Sequence, residues 1–167
     1  MGSTVTYEEV IVRRSADVES SRCGGVTIGV SAAIDLTLSA PDDLDRMVEA
    51  IETFGEAEGL PLKTVMTLNL ILEEIVTNVI NHGADDGTAM IEVTAHRSGD
   101  TIHGFVRDNG IAFDPLARDA PDTAASIEDR QIGGLGVHLV RTMSRDVQYR
   151  REGQHNVLRF AIGIEEG

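Results

Sequence analysis

The stretch LNLILEEIVTNVINHG, residues 68–83, decides the fold because it joins a long apolar pattern to polar side chains that need an explanation. Its apolar residues recur at three- and four-residue steps and cover most of the surface of the helix that this period predicts. A helix that is apolar on most sides is mostly buried in its protein. Its polar side chains therefore either occupy a narrow solvated face or face a functional site.

Two of these polar residues, Glu74 and Asn78, are four positions apart. Residues at this spacing lie on the same edge of a helix, one turn apart, so their side chains can reach one point. A carboxylate next to an amide oxygen suits a general base beside a ligand of Mg²⁺, a cation that takes few protein oxygens. The alternative is an outward-facing pair, which for this spacing alone is the more common outcome.

The segment RDNGIAFDP, residues 107–115, places Asp108 at the end of a predicted strand. An ionised carboxylate only accepts hydrogen bonds, so Asp108 can select a ring that bears an exocyclic amine, such as adenine. Gly110 allows the chain to turn sharply or to approach a ligand closely. The alternative is an Asp-Asn-Gly turn capped by its own side chain, which many proteins contain.

The segment GGLGVHLV, residues 133–140, places glycines at the start of a predicted helix. Unobstructed backbone N–H groups at the positive end of a helix suit phosphate oxygens. The segment is not a Walker loop, because no Gly-Lys-Ser/Thr follows, and not a dinucleotide fingerprint, because no strand immediately precedes it. A flexible hinge before a helix is the alternative.

The pattern before residue 83 predicts one strand and two helices. Apolar residues alternate in residues 30–40, as in a half-buried strand. An amphipathic helix follows from Pro41, and a second helix follows from Pro61, since proline suits a first helical position. We expect Gly83 to end the second helix in a left-handed conformation.

The remaining sequence predicts two hairpins, a long loop and a third helix. The first hairpin turns at residues 98–100, and its second strand ends at Asp108. Residues 114–132 form a loop, a third helix then places Leu135, Leu139 and Met143 inward, and residues 147–164 form the closing hairpin. Helices that follow one another, rather than alternating with strands, predict an α+β two-layer sandwich. Its mixed, mostly antiparallel sheet carries the helices on one face, and regular Rossmann alternation is absent.

The length of 167 residues suffices for one well-filled core and is too short for two ordinary domains. Residues 1–30 contain many glycines, serines and scattered charges without a sustained apolar period. They predict a flexible N-terminal extension, with a short strand at residues 9–12. The folded domain is predicted to span residues 31–165.

Acidic residues outnumber basic ones by 28 to 14, which gives a formal net charge of −14. Such a protein repels phosphate backbones and anionic lipids, so we expect no direct binding to nucleic acid and no membrane association. Cys23 is the only cysteine, which excludes an internal disulfide and a cysteine metal cluster. Without a membrane-spanning run or a secretory signal pattern, the expected location is the cytoplasm.

Three motifs follow one another along the chain: Glu-x-x-x-Asn on a buried helix, Asp-x-Gly at a strand end and Gly-x-Gly at a helix start. Their order and spacing resemble the Bergerat (GHKL) ATP-binding fold. Within that superfamily, about residues 31–165 closely resemble the anti-sigma factor serine/threonine-protein kinases, which are small stand-alone members. The similarity includes LNLILEEIVTNVINHG, VRDNGIAFDP and GLGVHLVRTMSRDVQYRREGQHNVLRF.

The resemblance implies ATP and Mg²⁺ as cofactors and assigns a role to each of the first two motifs. Asn78 would be the Mg²⁺ ligand. Glu74 would be the base that takes the proton from an attacking serine or threonine hydroxyl. Asp108 would bind the adenine amine, with Gly110 shaping that pocket and Phe113 lining it.

The third motif would contact the phosphates. By the resemblance, Gly134, Leu135 and Gly136 lie at the phosphates beneath the loop of residues 114–132, which acts as a lid. Phosphoryl transfer of this kind is mostly positioning and charge neutralisation, so one metal ion and a mobile lid suffice.

One feature departs from the kinase members, many of which carry a basic residue immediately before Gly-Leu-Gly. Here those positions hold Ile132 and Gly133, with Arg130 further back. ATP binding is therefore the firmer expectation, and a non-catalytic ATP-binding module that sequesters its partner is the alternative function. A detached histidine-kinase catalytic domain is a third hypothesis, but that class usually has an amide where Glu74 stands.

The resemblance also implies partners: an alternative sigma factor, which is held from RNA polymerase, and an anti-anti-sigma (STAS) protein, which is phosphorylated. Homodimers are also compatible with it. Arg46, on the first helix, is a candidate partner contact, although we favour an ion pair with Asp42 or Glu49. His82 lies in the last helical turn, where a histidine complements the helix dipole, and we favour that structural role over a place in the site.

Overall fold

The computed structural model describes residues 33–83, 89–117 and 135–165. Within them the elements lie in the order β1 (Ala33–Leu38), α1 (Asp43–Glu58), α2 (Leu62–His82), β2 (Ile91–Ser98), β3 (Thr101–Asp108), a 3₁₀ turn (Pro115–Ala117), α3 (Leu135–Met143), β4 (Asp146–Glu152) and β5 (His155–Gly163). The predicted extension at residues 1–30, its short strand and most of the predicted lid lie outside the described residues.

The strands form one five-stranded sheet in the order β1-β2-β3-β5-β4. All four pairings between described strands are antiparallel. The three helices pack against this sheet, α1 on β1, α2 on β3 and β5, and α3 on β4. The predicted α+β two-layer sandwich is confirmed, and both predicted hairpins are present.

Alternation along the strands explains which face of the sheet the helices cover. In β1, Ile34, Leu36 and Leu38 are buried, whereas Asp35 and Thr37 between them are exposed. The same alternation continues through β2 and β3, so the apolar side chains of the sheet meet those of the helices in one core. The period-two pattern in the sequence therefore identified the inner face correctly.

The first helix begins at a turn that Asp43 holds in place. The Asp43 carboxylate accepts hydrogen bonds from the backbone N–H groups of Ser39, at 2.7 Å, and Ala40, at 3.1 Å. It also pairs with the Arg46 guanidinium at 2.6 Å. Burial acts to raise the pKa of Asp43, but the hydrogen bonds from Ser39, Ala40 and Arg46 outweigh it and lower this pKa below its ordinary value.

The third helix departs from the sequence prediction in its orientation. Val140 is buried, at 3% exposure, and Leu139 is half-buried. Met143 is 38% exposed, so its predicted inward position is wrong. The physical reason is that α3 ends at Met143, where the chain leaves the core to enter β4.

Among the described residues, none of the helices is both long enough and apolar enough to cross a membrane.

Replacing Asp43 by alanine should lower the free energy of unfolding by about 1–2 kcal/mol at pH 7, because two backbone donors lose their partner. A carboxyl whose pKa is lowered by folding stabilises the protein above its unfolded value of 3.8 and loses that effect as the pH falls. The difference between the variant and the parent should therefore shrink below about pH 4. Urea denaturation between pH 3 and 7 measures it.

The matched control is Asp45→Ala, which removes an exposed carboxylate from the same helical turn. An equal loss of stability in both variants, or a difference for Asp43→Ala that does not change with pH, would contradict this role of Asp43.

Candidate functional site

A cleft lies between the C-terminal half of α2 and the ends of β3 and β5. It encloses about 660 Å³ of space, part of it open to solvent. Helix α2 lines it with Ile75, Asn78, Val79 and His82, which recur at three- and four-residue steps and therefore share one side of the helix. Among the polar residues of the stretch 68–83, Asn78 and His82 therefore lie on the cleft side of α2, whereas Glu73 and Glu74 do not line the cleft.

The floor of the cleft is a polar row across three strands. Asp108 on β3 lies opposite Asn156 on β5, which in turn lies opposite Arg151 on β4. Residues directly opposite on adjacent strands point to the same face of the sheet, here the inner one. Asp108 is 5% exposed and Asn156 is 7% exposed, so these two side chains are largely removed from water, whereas Arg151 at the end of the row is exposed.

The Asn156 side chain uses both of its ends. Its Nδ2 donates to Asp108 Oδ1 and to the carbonyl of Ile111, each at 2.8 Å. Its Oδ1 accepts from the Tyr149 hydroxyl and from Arg151 Nη1, each at 2.8 Å. The backbone N–H of Phe113 donates to the same oxygen at 3.4 Å. One amide therefore holds the carboxylate and the segment that follows it.

The Asp108 carboxylate is bound on one oxygen only. Oδ1 accepts from Asn156 and, at 2.9 Å, from the backbone N–H of Gly110. No donor among the described residues contacts Oδ2, although Asp108 lines the cleft. The remaining oxygen can therefore accept a hydrogen bond from a ligand.

Tyr149 and Arg151 complete the polar row. Burial raises the pKa of the Tyr149 hydroxyl, and the negative charges of Asp114 and Asp108 act in the same direction, while Arg151 opposes them. Tyr149 is therefore a neutral hydrogen-bond donor to Asn156. Arg151 Nη1 also donates to the carbonyl of Gly110 at 2.9 Å, which fixes the turn after Asp108 from a second side.

Two glycines bring the end of α2 against this turn. A Cβ on Gly110 would lie 2.4 Å from the Gly83 carbonyl oxygen, so only glycine permits this approach. The Ile111 N–H donates to the same oxygen at 2.7 Å. Gly83 itself has φ −82° and ψ −18°, so the predicted left-handed stop is wrong. Glycine is needed there for space, since a Cβ would lie 2.5 Å from the Val79 carbonyl oxygen.

The structure brings most of the first two motifs together. Asn78, Asp108 and Phe113 line the cleft, and Gly110 lies at its edge beside Asp108. Glu74 lies one turn before Asn78, is half-buried, and is not among the residues that line the cleft.

The other predicted residues lie in different parts of the structure. His82 ends α2, as expected, but it also lines the cleft, so the purely structural role predicted for it is incomplete. Gly134 lies outside the described residues, whereas Leu135 and Gly136 begin α3. Arg46 pairs with Asp43, so the favoured ion pair is correct in kind but wrong in its partner.

Asn156, Tyr149 and Arg151 were missed as site residues because the run that contains them, YRREGQHN at residues 149–156, indicated only the family resemblance and no role in the site. A signal was present, however, since Asn156 precedes Leu158, Phe160 and Ile162 at steps of two. A polar residue at an inward position of a predicted strand needs buried partners. The sequence could not name those partners, because they come from β3, from β4 and from the segment after β3.

The walls of the cleft suit a flat heterocycle. Apolar side chains from α2, β3 and β5 surround Asp108, among them Ile75, Val106 and Leu158. A mostly apolar cleft with a few directed polar groups is the usual form of a cofactor site. No cluster of three or more His, Cys, Asp or Glu residues that could hold a metal ion occurs in the described part of the chain. A cation here would therefore depend on Asn78 together with oxygens of the ligand.

The segment that forms this cleft matches a known protein family. The family model described as the histidine kinase-like ATPase domain matches residues 37–162. That range includes the whole of the cleft and all three helices.

Two curated relatives are serine or serine/threonine kinases by name. The chain is 32% identical over 93 residues to serine/threonine-protein kinase BtrW of Bordetella bronchiseptica, covering 55% of this chain and 66% of that one. It is 31% identical over 103 residues to serine-protein kinase RsbW of Listeria monocytogenes, covering 57% and 64%. The matched part of the chain thus spans slightly less than two thirds of these relatives.

Among solved structures, the chain is similar to the histidine kinase domain of the blue-light activated histidine kinase EL346 from Erythrobacter litoralis. The TM-score is 0.46 at 19% identity, with 72% of this chain and 59% of that chain covered.

Replacing Asn156 by alanine should lower the free energy of unfolding by about 3 kcal/mol or more, because it leaves several buried polar groups without partners. Urea denaturation followed by circular dichroism measures the loss. The control, Gln154→Ala, removes an exposed amide from the neighbouring turn and should change stability by less than about 0.5 kcal/mol. Similar stabilities of the two variants would show that the Asn156 network contributes little.

Proposed function

The chain belongs to the histidine kinase-like ATPase domain family, and on that premise we propose that it is an ATP-dependent serine/threonine-protein kinase that also acts as an anti-sigma factor. In this proposal it binds ATP with Mg²⁺, phosphorylates a STAS-domain anti-anti-sigma protein and sequesters a sigma factor. The names of the two relatives support the kinase part of the proposal.

One observation carries the nucleotide part: the buried Asp108 carboxylate is held by Asn156 and Gly110 through Oδ1 alone. Oδ2 is left to accept from a ligand, and a carboxylate that can only accept favours the exocyclic amine of adenine over the carbonyl of guanine. The apolar walls and Phe113 then cover the faces of the base. Because these hydrogen bonds already hold the Asp108 side chain in place, nucleotide binding would not have to restrict its conformation further.

The residues of the cleft also fit a magnesium ion. Asn78 offers one amide oxygen, and Mg²⁺ is usually bound through one or two protein oxygens, with phosphate oxygens and water as its other ligands. When bound, the ion would neutralise negative charge on the phosphates of ATP. Gly134, together with Leu135 and Gly136 at the start of α3, is proposed to contact the phosphates, with backbone N–H groups as donors.

Glu74 is proposed as the general base. It takes the proton from a serine or threonine hydroxyl of the partner, whose oxygen then forms a bond to the γ-phosphorus. The bond from that phosphorus to the β,γ-bridging oxygen breaks, and ADP leaves with the electron pair. The Glu74 side chain is half-buried and lies one turn from Asn78, so its carboxylate is beside the cleft and not within the apolar part of the cleft.

The partners are proposed from the family resemblance. Helix α1 carries Arg46, which the Asp43 carboxylate holds at the surface at 2.6 Å. An ordered guanidinium can form a directed pair with a carboxylate of the sigma factor or of the STAS protein. The cytoplasm is the corresponding place of action, and a homodimer is compatible with this arrangement.

A second candidate function is a non-catalytic ATP-binding module that sequesters its partner. Two observations favour it: Ile132 and Gly133 stand where many kinases carry a basic residue, and Glu74 does not line the cleft. The two functions share the nucleotide site and differ only in phosphoryl transfer.

Replacing Asp108 by asparagine should weaken ATP binding at least tenfold. The amide can turn its N–H₂ group toward the adenine amine, and a hydrogen-bond donor would then face another donor. Isothermal titration calorimetry with ATP and Mg²⁺ measures the affinity. Asp100→Asn, at an exposed hairpin turn, is the matched control and should bind as the parent does. Equal affinities of the Asp108 and Asp100 variants would rule out Asp108 as the adenine contact.

Replacing Glu74 by alanine should abolish phosphorylation of the STAS protein while ATP affinity stays within about twofold, since a general base contributes to transfer and not to nucleotide binding. The assay uses labelled ATP, Mg²⁺ and each STAS-domain protein of the same genome. Glu152→Gln, on the opposite face of the sheet, serves as the control. No labelling by the parent chain, with normal ATP binding, would favour the non-catalytic module.

A further inference from the structure

A second concave surface, which we name the α1–α2 groove, lies on the helical layer away from the cleft. It runs between α1, at Val48 and Glu52, and the part of α2 from Leu62 to Glu73, and Met143 at the end of α3 closes one side. It encloses about 1390 Å³ of space that includes open solvent, and it extends about 17 Å along α2 from Leu62 to Glu73. These dimensions suit a polypeptide.

The groove holds an unusual share of the exposed apolar side chains. Leu62 is 73% exposed, Met66 is 63% exposed and Met143 is 38% exposed. They are three of the six large apolar side chains that are exposed in the described part of the chain, and two of the other three line the cleft. Contiguous exposed apolar surface marks interaction sites, and methionine adapts to varied apolar partners.

The groove and the cleft use opposite sides of the same helix. At 100° per residue, Leu62, Met66 and Glu73 fall within about 40° of one another around α2. The cleft residues Asn78 and His82 fall about 140° and 180° away from that direction. A polypeptide in the groove would therefore leave the cleft accessible, so the groove is a separate surface.

The floor of the groove contains an acceptor without a donor. The Asn69 side chain lines the groove, and its Oδ1 is buried and makes no hydrogen bond among the described residues. A buried carbonyl oxygen without a donor costs free energy.

The rim of the groove is negatively charged. Glu52 and Glu73 are exposed, and neither forms an ion pair within the described residues. Lys63, the cation beside them, is paired with Glu165. A second copy of this chain would bring a like-charged rim and a net charge of −14, so electrostatics disfavours self-association here.

We propose that the α1–α2 groove binds an amphipathic helix of a partner protein, with an apolar stripe against Leu62, Met66 and Met143 and with Lys or Arg beside Glu52 and Glu73. The span from residue 62 to residue 73 is about 17 Å, which corresponds to roughly three turns of such a helix. Helices commonly dock into apolar grooves through apolar side chains three and four residues apart.

The probe is a labelled 14-residue synthetic peptide in which Leu occupies one helical face and Lys its flanks. Two matched peptides separate the contribution of the apolar stripe from that of the positive charge. One has the same composition with the Leu residues scattered, and the other has Glu in place of Lys. Fluorescence anisotropy with the full chain at 0.15 M salt measures affinity. We expect the Leu/Lys peptide to bind at least tenfold more tightly than either matched peptide.

Variants of the chain test the location. Met66→Ser should weaken binding of the Leu/Lys peptide about tenfold, as loss of a buried methionine contact implies. Met90→Ser removes an exposed methionine elsewhere, 53% exposed against 63% for Met66, and should leave binding unchanged. The double variant Glu52→Gln/Glu73→Gln should weaken binding roughly three- to tenfold and reduce its salt dependence, whereas Glu152→Gln should not.

Hydrogen exchange with the bound peptide should show protection at residues 48–52 and 62–73. Binding should persist in Asp108→Asn, so failure of the nucleotide proposal and failure of the groove proposal are distinguishable. Equal affinity for the peptide with scattered Leu residues, or no effect of Met66→Ser, would overturn the proposal. Self-association of the free chain that Met66→Ser abolishes would identify a second copy as the occupant and also overturn it.

Discussion

The burial of the Asn156 amide beside Asp108 is the constraint on which the cleft depends. A buried amide must satisfy both its donor and its acceptor, and here the partners come from β3, β4 and the segment after β3. The sheet order places β5 between β3 and β4, so a single residue on β5 reaches both neighbours. The carboxylate that faces the cleft is thus positioned by the sheet itself.

The second constraint is the approach of two backbones without side chains between them. Gly83 and Gly110 bring the end of α2 against the turn after β3, and the Ile111 N–H closes the contact on the Gly83 carbonyl. The wall and the floor of the cleft are therefore joined directly. A side chain at Gly110 would separate α2 from the turn and widen the site, whatever its polarity.

Helix α2 connects these features because its sides face different surroundings. One side packs in the core, the C-terminal half lines the cleft, and the outward side of the N-terminal half lines the α1–α2 groove. The cleft is mostly apolar around a carboxylate, whereas the groove is apolar within an acidic rim. The same helix therefore lines two separate surfaces of different chemical character.

The sequence by itself determined the elements, the inner face of the sheet and the positions of Asn78, Asp108 and Phe113, because apolar period and motif spacing are local properties. It did not determine the role of Asn156, the right-handed conformation of Gly83 or the exposure of Met143. Those depend on which strand becomes the neighbour of β3 and on how closely backbones approach. Pairing and packing between distant segments decide them, and no local pattern records those contacts.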